Sequence, residues 1–168
     1  ELKTPPREIL CITFTNKAAR ELRERLRDKI GDAAAREITA GTFHSVAARM
    51  LRRHGDRIPG IGRTGEFTIY DADDSKQIVQ GVLVNKFGET KKTAQPGPMR
   101  NWISTSKSCV KHSVGLNGSH MLRALLDAHK PIPPMSHERF VECYDEYELG
   151  LRQANAFDFD DLLSATVA

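Results

Sequence analysis

The chain has 168 residues, 39% of them hydrophobic and 28% charged, and a formal net charge of +3. That length suits one domain, or one domain plus part of another, and the composition is that of a globular chain. No apolar run reaches membrane-spanning length, and Cys11, Cys109 and Cys143 are too widely spaced for a disulfide framework or a zinc site.

The charge is unevenly distributed. Residues 1–57 carry 13 Lys/Arg against 8 Asp/Glu, residues 58–135 carry 10 against 6, and residues 136–168 carry 2 against 8. The first two thirds can therefore attract a polyanion, although an excess this small also describes an ordinary solvated surface. Cys11 reads as a small core residue. The opening, Glu1 to Pro6, has neither an initiator Met nor a signal-peptide pattern, and reads as the start of an excised fragment.

Ile9 to Ile12 is an unbroken apolar run and predicts a strand covered on both faces. The period then changes. Ala18, Leu22, Leu26 and Ile30 recur every four residues, which predicts an amphipathic helix with Thr15 or Asn16 as its cap and Gly31 as its stop. The tip between strand and helix holds Thr13, Phe14, Thr15, Asn16 and Lys17. It combines an aromatic face, a positive charge and the free N–H groups of a helix start, a setting that favours anions and offers a stacking surface to a base. Taken alone, Phe14 could equally pack on the sheet.

Asp32 to Arg36 reads as a charged, Ala-rich connector, Glu37 to Phe43 as a second short strand and Ser45 to His54 as a second helix. Strand, helix, strand, helix indicates parallel pairing through a crossover. The second corner is Thr42-Phe43-His44-Ser45, with Ser45 as a candidate N-cap. Open α/β sheets bind ligands at the carboxyl ends of their strands, so the two tips are expected to form one surface. His44 is the first candidate for a direct contact there, although a lone His is otherwise more often an incidental hydrogen-bonded residue.

Gly60-Ile61-Gly62-Arg63-Thr64-Gly65 spells G-x-G-x-x-G, but a helix precedes it and the strand-like Phe67 to Tyr70 follows. A dinucleotide site needs the reverse order, so this is read as a junction. Asp71 caps the next helix, whose buried face holds Ile78, Val79, Val82 and Leu83; the nearby Asp residues lack the Gly and Glu of a calcium loop. Pro96 or Pro98 starts a helix carrying Met99, Trp102 and Ile103, with Trp102 on the apolar stripe. Ser104 to Ser119 is polar, with Lys107 and Lys111, and faces either duplex backbone or nothing. Gly118-Ser119-His120-Met121 matches a cloning-vector remnant, by coincidence or through the joining of two segments.

A short helix over Met121 to Leu126 ends at Pro131, Pro133 and Pro134. A longer one follows from Ser136, with Phe140, Val141, Tyr144 and Leu151 inward and most acids outward; His137-Glu138 lacks the second His of a zinc helix. In the last block Asp158 caps a helix whose buried stripe is Phe159, Leu162 and Leu163, and capping accounts for Asp160 and Asp161 better than a metal does.

Four blocks carry a resemblance. Thr13-Phe14-Thr15-Asn16-Lys17-Ala18-Ala19 with the helix behind it resembles motif Ia of the UvrD/Rep/PcrA family of superfamily 1 DNA helicases, and Thr42-Phe43-His44-Ser45 resembles motif Ib. Phe67 to Asp71 resembles the lead-in to the family's helical 1B insertion. Asp158-Phe159-Asp160-Asp161-Leu162-Leu163 resembles the segment that returns to the motor domain. The blocks fall in family order.

The resemblance implies an α/β, mostly helical fold: a partial RecA-like parallel sheet of about two strands with an inserted helical bundle. Residues 1–57 would belong to motor domain 1A, 58–154 to the 1B insertion and 155–168 to the return into 1A. It implies an ATP-dependent 3′–5′ DNA helicase acting in DNA unwinding and repair. ATP and Mg2+ would be the cofactors of the parent protein, with none bound by this piece. Single-stranded DNA and single/double-strand junctions would be the partners. Thr13, Phe14, Thr15, Asn16, Lys17, Thr42, Phe43, His44 and Ser45 would be the DNA-binding residues.

No phosphate loop and no magnesium-binding acids are present in the sequence, so the fragment itself is expected to lack ATPase activity and to hold no catalytic residue or metal. By the same resemblance the phosphate loop would lie just before Glu1. The expected location is cytoplasmic and nucleoid-associated in a bacterium, or nuclear or organellar in a eukaryote, with no membrane contact. The alternative is an autonomous helical module that binds DNA or protein without a motor role.

Overall fold

The structure is a computed structural model that describes residues 4–58, 61–111, 113–130 and 135–167. The chain divides into two compact units, Glu1–Met50 and Leu51–Ala168.

The first unit is α/β. Strand β1 (Leu10–Thr13) leads into helix α1 (Asn16–Ile30), followed by α2 (Asp32–Glu37), strand β2 (Thr39–Thr42) and the start of α3 (Phe43–His54). β1 and β2 pair in parallel, Leu10 with Thr39 through Thr13 with Thr42, as the crossover predicts. Thr15, rather than Asn16, caps α1 by accepting from the Ala18 N–H at 3.1 Å. Gly31 stops the helix with φ +82°, where an L side chain would be strained.

Three expectations need correction in this unit. The apolar run of β1 is not covered on both faces: Leu10 is 53% and Ile12 37% exposed, because β2 is β1's sole strand neighbour among the described residues and no layer of this unit lies over their face. The stripe of α1 is shorter than expected: Ala18, Leu22 and Leu26 are half-buried beside the buried Ala19, but Ile30 is exposed. The Asp32–Arg36 connector is a helix, which its alanines favour and an Asp32–Arg36 ion pair one turn apart supports.

The second unit is a helical bundle with a small parallel ladder. β3 (Thr68–Ile69) pairs with β4 (Ala156–Phe157). Between them run α4 (Ala72–Asn85), α5 (Pro96–Ser108), α6 (Gly118–Asp127) and α7 (His137–Gln153), and α8 (Phe159–Thr166) closes the chain. Asp71 and Asp74 form a reciprocal capping box at α4, Pro96 occupies the first turn of α5, and Ser136 caps α7. The core draws Val79 and Leu83 from α4, Met99 and Ile103 from α5, and Met121 and Leu125 from α6. From α7 come Phe140, Cys143, Tyr144, Tyr147 and Leu151. Trp102 is half-buried against this core.

The ladder strand β4 carries no signal readable in advance, since two residues are too short for a period. Gly60 of the glycine-rich hexapeptide, and Pro131, Pro133 and Pro134, lie outside the described residues; α6 has already ended at Asp127. Gly118 to Met121 is built into the core as the first turn of α6. Met121 is fully buried, and the Gly118 N–H donates to Asp145 Oδ1 at 2.6 Å. Cys143 is the buried cysteine, its thiol pushed up to about 12 by burial, whereas Cys11 is half-buried.

The closing helix departs from its expected stripe. Leu162 is buried, but Phe159 is 41% and Leu163 37% exposed, and Asp158, Asp161 and Ala165 take the inward positions. Lys107, from the polar segment, and Glu148, an acid of α7, are buried as well.

Candidate nucleic-acid interface

The strand–helix corners of the first unit lie side by side. The register that pairs Thr13 with Thr42 brings the exits of β1 and β2 together. Phe14, immediately after β1, is 90% exposed; Phe43, immediately after β2, is 42% exposed. Their ring centroids are 5.3 Å apart with planes inclined at 48°. Phe14 therefore does not pack on the sheet. The two rings together form one water-exposed aromatic patch at the strand exits.

Local hydrogen bonds hold each corner. The Thr13 hydroxyl donates to the Thr15 carbonyl at 3.1 Å, and the Thr15 hydroxyl caps α1. At the second corner the cap is Thr42 rather than Ser45. Thr42 Oγ1 accepts from the Ser45 N–H at 3.3 Å, while Ser45 Oγ accepts from the Thr42 N–H at 2.9 Å and donates to the Thr42 carbonyl at 3.0 Å. The helix consequently begins one residue after β2 and projects Phe43 from its first turn. Thr42 is nearly buried and acts by position; Ser45 is exposed, with its hydroxyl engaged at the cap.

Asn16 and Lys17 occupy the exposed first turn of α1. The Lys17 side chain is 86% exposed, with Glu21 4.0 Å away, so its charge stands in solvent. His44 is half-buried. Eight of the nine residues expected at the surface thus fall into two groups, with half-buried His44 between them. Phe14, Asn16, Lys17 and Phe43 are accessible, while Thr13, Thr15, Thr42 and Ser45 shape the corners through the bonds just described. Two helix N-termini, a cation and two ring faces in one place can accept a phosphate beside a base.

A second polar assembly, in the other unit, has no counterpart in the sequence reading. Lys107 Nζ lies 2.8 Å from Asp158 Oδ2, 2.8 Å from Asp161 Oδ1 and 2.6 Å from Glu148 Oε1. The Arg63 guanidinium reaches Asp161 at 3.1 Å and Glu148 at 3.3 Å, donates to the Ala156 carbonyl at 2.6 Å and stacks over Phe157 at 4.5 Å. The Tyr147 hydroxyl donates to Asp158 at 2.8 Å, and the Ser113 hydroxyl to Asp161 at 3.2 Å.

Three carboxylates thus meet two cations away from water. Burial pushes Lys107 down, but the three carboxylates hold it well above its usual range. Burial pushes Asp161 up, and Glu148 and Asp158 add to that against Lys107 and Arg63, raising it to about 7. Burial also acts on Asp158, yet Lys107 and the hydrogen bonds it accepts keep it below normal. This network turns α8 so that Asp158 and Asp161 face inward. No local signal marks it: a Lys in a helix and the acids Glu148, Asp158 and Asp161 are individually unremarkable, and only the tertiary fold joins them.

No helix among the described residues is long and apolar enough to cross a membrane. Among the same residues no group of three or more His, Cys, Asp or Glu is arranged to hold a metal.

The family model of the UvrD/REP helicase N-terminal domain matches residues 1–168. The chain is 37% identical over 167 residues to the ATP-dependent DNA helicase UvrD1 of Mycobacterium tuberculosis, covering 96% of this chain and 19% of that protein. It is 36% identical over 166 residues to UvrD1 of Mycobacterium leprae, covering 95% and 19%. Against the ATP-dependent DNA helicase PcrA of Staphylococcus aureus it is 37% identical over 167 residues, covering 99% and 20%. The chain spans about one fifth of the length of these relatives.

Proposed function

The chain belongs to the UvrD/REP helicase N-terminal domain family, and from that premise we propose that its two aromatic corners form part of the single-stranded DNA track of an ATP-dependent helicase. In this reading the first unit contributes motor domain 1A, the helical unit is the 1B insertion that touches duplex at a junction, and residues 155–168 return to 1A. The intact protein moves 3′ to 5′ with ATP and Mg2+ held by residues outside this sequence.

The observation that carries the proposal is the pairing of Phe14 and Phe43 at 5.3 Å with both rings accessible. Phe14 stacks on a base, Phe43 supports it from the neighbouring corner, and Lys17 with the helix starts meets the adjoining phosphate. Thr13, Thr15, Thr42 and Ser45 hold the two tips in shape. Asn16 and His44 complete the edge of the track.

The test is binding of a fluorescent oligo-dT to the 168-residue chain, wild type against Phe14→Ala. The expected result is a loss of about tenfold in affinity, the scale of one base–aromatic stack. Unchanged affinity in a folded variant rejects the track.

A further inference from the structure

We propose that a second site in the first unit, an arginine-lined cleft on the outer edge of β2, binds a phosphate-bearing anion. The cleft encloses about 650 Å³ and is lined by Arg23 and Arg27 of α1, Asp32 and Arg36 of α2, and Arg49 of α3, with Ala40 of β2 at its floor. That composition sets four guanidinium groups against one carboxylate. Arginine does not lose its proton in proteins, so the excess of positive charge is permanent.

The hydrogen bonds show how the charges are shared. Asp32 is taken by two partners: Arg27, with Nε 3.2 Å from Oδ1, and Arg36 at the other oxygen. Arg23 and Arg49 are left without a carboxylate among the described residues. Both instead donate to one neutral oxygen, the Ala40 carbonyl, at 2.7 and 3.2 Å. Thr39 donates to Ile9 across the ladder, so by strand alternation the Ala40 carbonyl faces away from β1, onto the free edge.

Two like charges converging on a single neutral acceptor repel each other, and each uses only part of its donor set. An anion in the cleft would relieve the repulsion and take up the remaining donors. Planar guanidinium groups match the oxygens of a phosphate in paired hydrogen bonds, better than they match a halide. The cleft is larger than one orthophosphate, and the ligand class it suits is a diphosphate or two neighbouring phosphates of a nucleic-acid backbone.

This site is separate from the aromatic corners. Phe14 and Phe43 follow the carboxyl ends of the two strands, whereas the cleft opens along the side of β2 and is reached by the later turns of α1 and α3. It requires no base, so its success or failure does not depend on the proposed track.

The test is a titration of the isotope-labelled 168-residue chain with inorganic pyrophosphate, followed through arginine side-chain resonances. The expected result is saturable shifts of Arg23, Arg27, Arg36 and Arg49, retained in Phe14→Ala. Arg23→Gln with Arg49→Gln should weaken binding about tenfold or more. Should that pair compromise folding, Arg36→Gln, an exposed position, serves in its place with a smaller loss. A competing oligo-dT that displaces pyrophosphate assigns the site to backbone phosphate; failure to displace it assigns a free diphosphate. Either result supports the cleft. Absence of saturable shifts in the wild type, or full affinity in the folded arginine variants, overturns it.

Discussion

Lys107 on α5 and Asp161 on α8 face each other at 2.8 Å with 1% of either side chain exposed. Their contact joins the bundle to the closing helix, with Asp158, Glu148 and Arg63 completing the cluster. Removing one partner of such a pair strands the other charge away from water, which costs more than the pair itself contributes. Lys107→Met should therefore destabilise the helical unit by about 3 kcal/mol, read as a lower urea midpoint. Adding Asp161→Asn to Lys107→Met should recover part of that loss, since one uncompensated carboxylate disappears. Strict additivity of the two changes would show that the contact carries no coupling.

The same cluster gives a pH dependence of definite sign. Asp161 in the folded chain is raised to about 7, above its ordinary value of 3.8. Between those two values the folded state holds a proton that the unfolded state has released, so stability falls as pH rises through the window. Below the lower value the effect vanishes, and above about 7 the full penalty is present. Asp158 is shifted the other way, and its contribution is lost only in acid. Urea midpoints at pH 6 and pH 8 should differ more in the wild type than in Asp161→Asn. Equal differences would mean that Asp161 is not the titrating group.

The corners were legible in the sequence because each is local. A hydrophobic run, a short polar cap and a four-residue period lie within one strand–helix step, and Thr15 and Thr42 close their caps within three residues. The adjacency of Phe14 and Phe43 followed from parallel pairing alone. The buried ions were not legible, because Arg63 and Asp161 are 98 residues apart and their pairing depends on how the bundle closes. For the same reason the hydrophobic pattern of α8 points to Phe159 and Leu163, whereas two buried carboxylates fix the helix rotation. The edge of β2 was equally hidden, since arginines two turns along separate helices carry no shared spacing.

Gly118 offers a test of whether Gly118 to Met121 is an integral part of the fold. A Cβ there would fall 2.7 Å from Val141 Cα and closer still to the Val141 carbonyl oxygen, so α6 and α7 touch through this glycine. Backbone cannot swing aside as a long side chain can. Gly118→Ala should cost about 2 kcal/mol through overpacking, despite alanine's better helix propensity. A stabilised variant, scored by thermal melting, would indicate that α6 docks elsewhere.

The two units should differ in local stability. The helical unit owns a core whose residues are almost wholly buried, whereas β1 has one neighbouring strand among the described residues and leaves Leu10 and Ile12 partly in water. Two-stranded pairing is weak without further cover. Amide exchange in the 168-residue chain should therefore be slow in α7 and fast in β1 and β2. Equal protection of both would mean that the first unit gains cover through self-association, visible as concentration dependence.

Phe14 and Lys17 should separate into two kinds of DNA contact when salt is varied. Stacking on Phe14 is nearly independent of ionic strength, because it displaces water from a ring face and releases no counterion. Lys17, standing in solvent with an 86% exposed side chain, would act on phosphate, and each phosphate neutralised releases condensed counterions. Phe14→Ala should thus lower oligo-dT affinity by a similar factor at every salt concentration, leaving the slope of log affinity against log salt unchanged. Lys17→Ala should reduce that slope by about one, with little loss at high salt. If the two variants changed the slope alike, Phe14 would be acting through the shape of the corner and not as a stacking face.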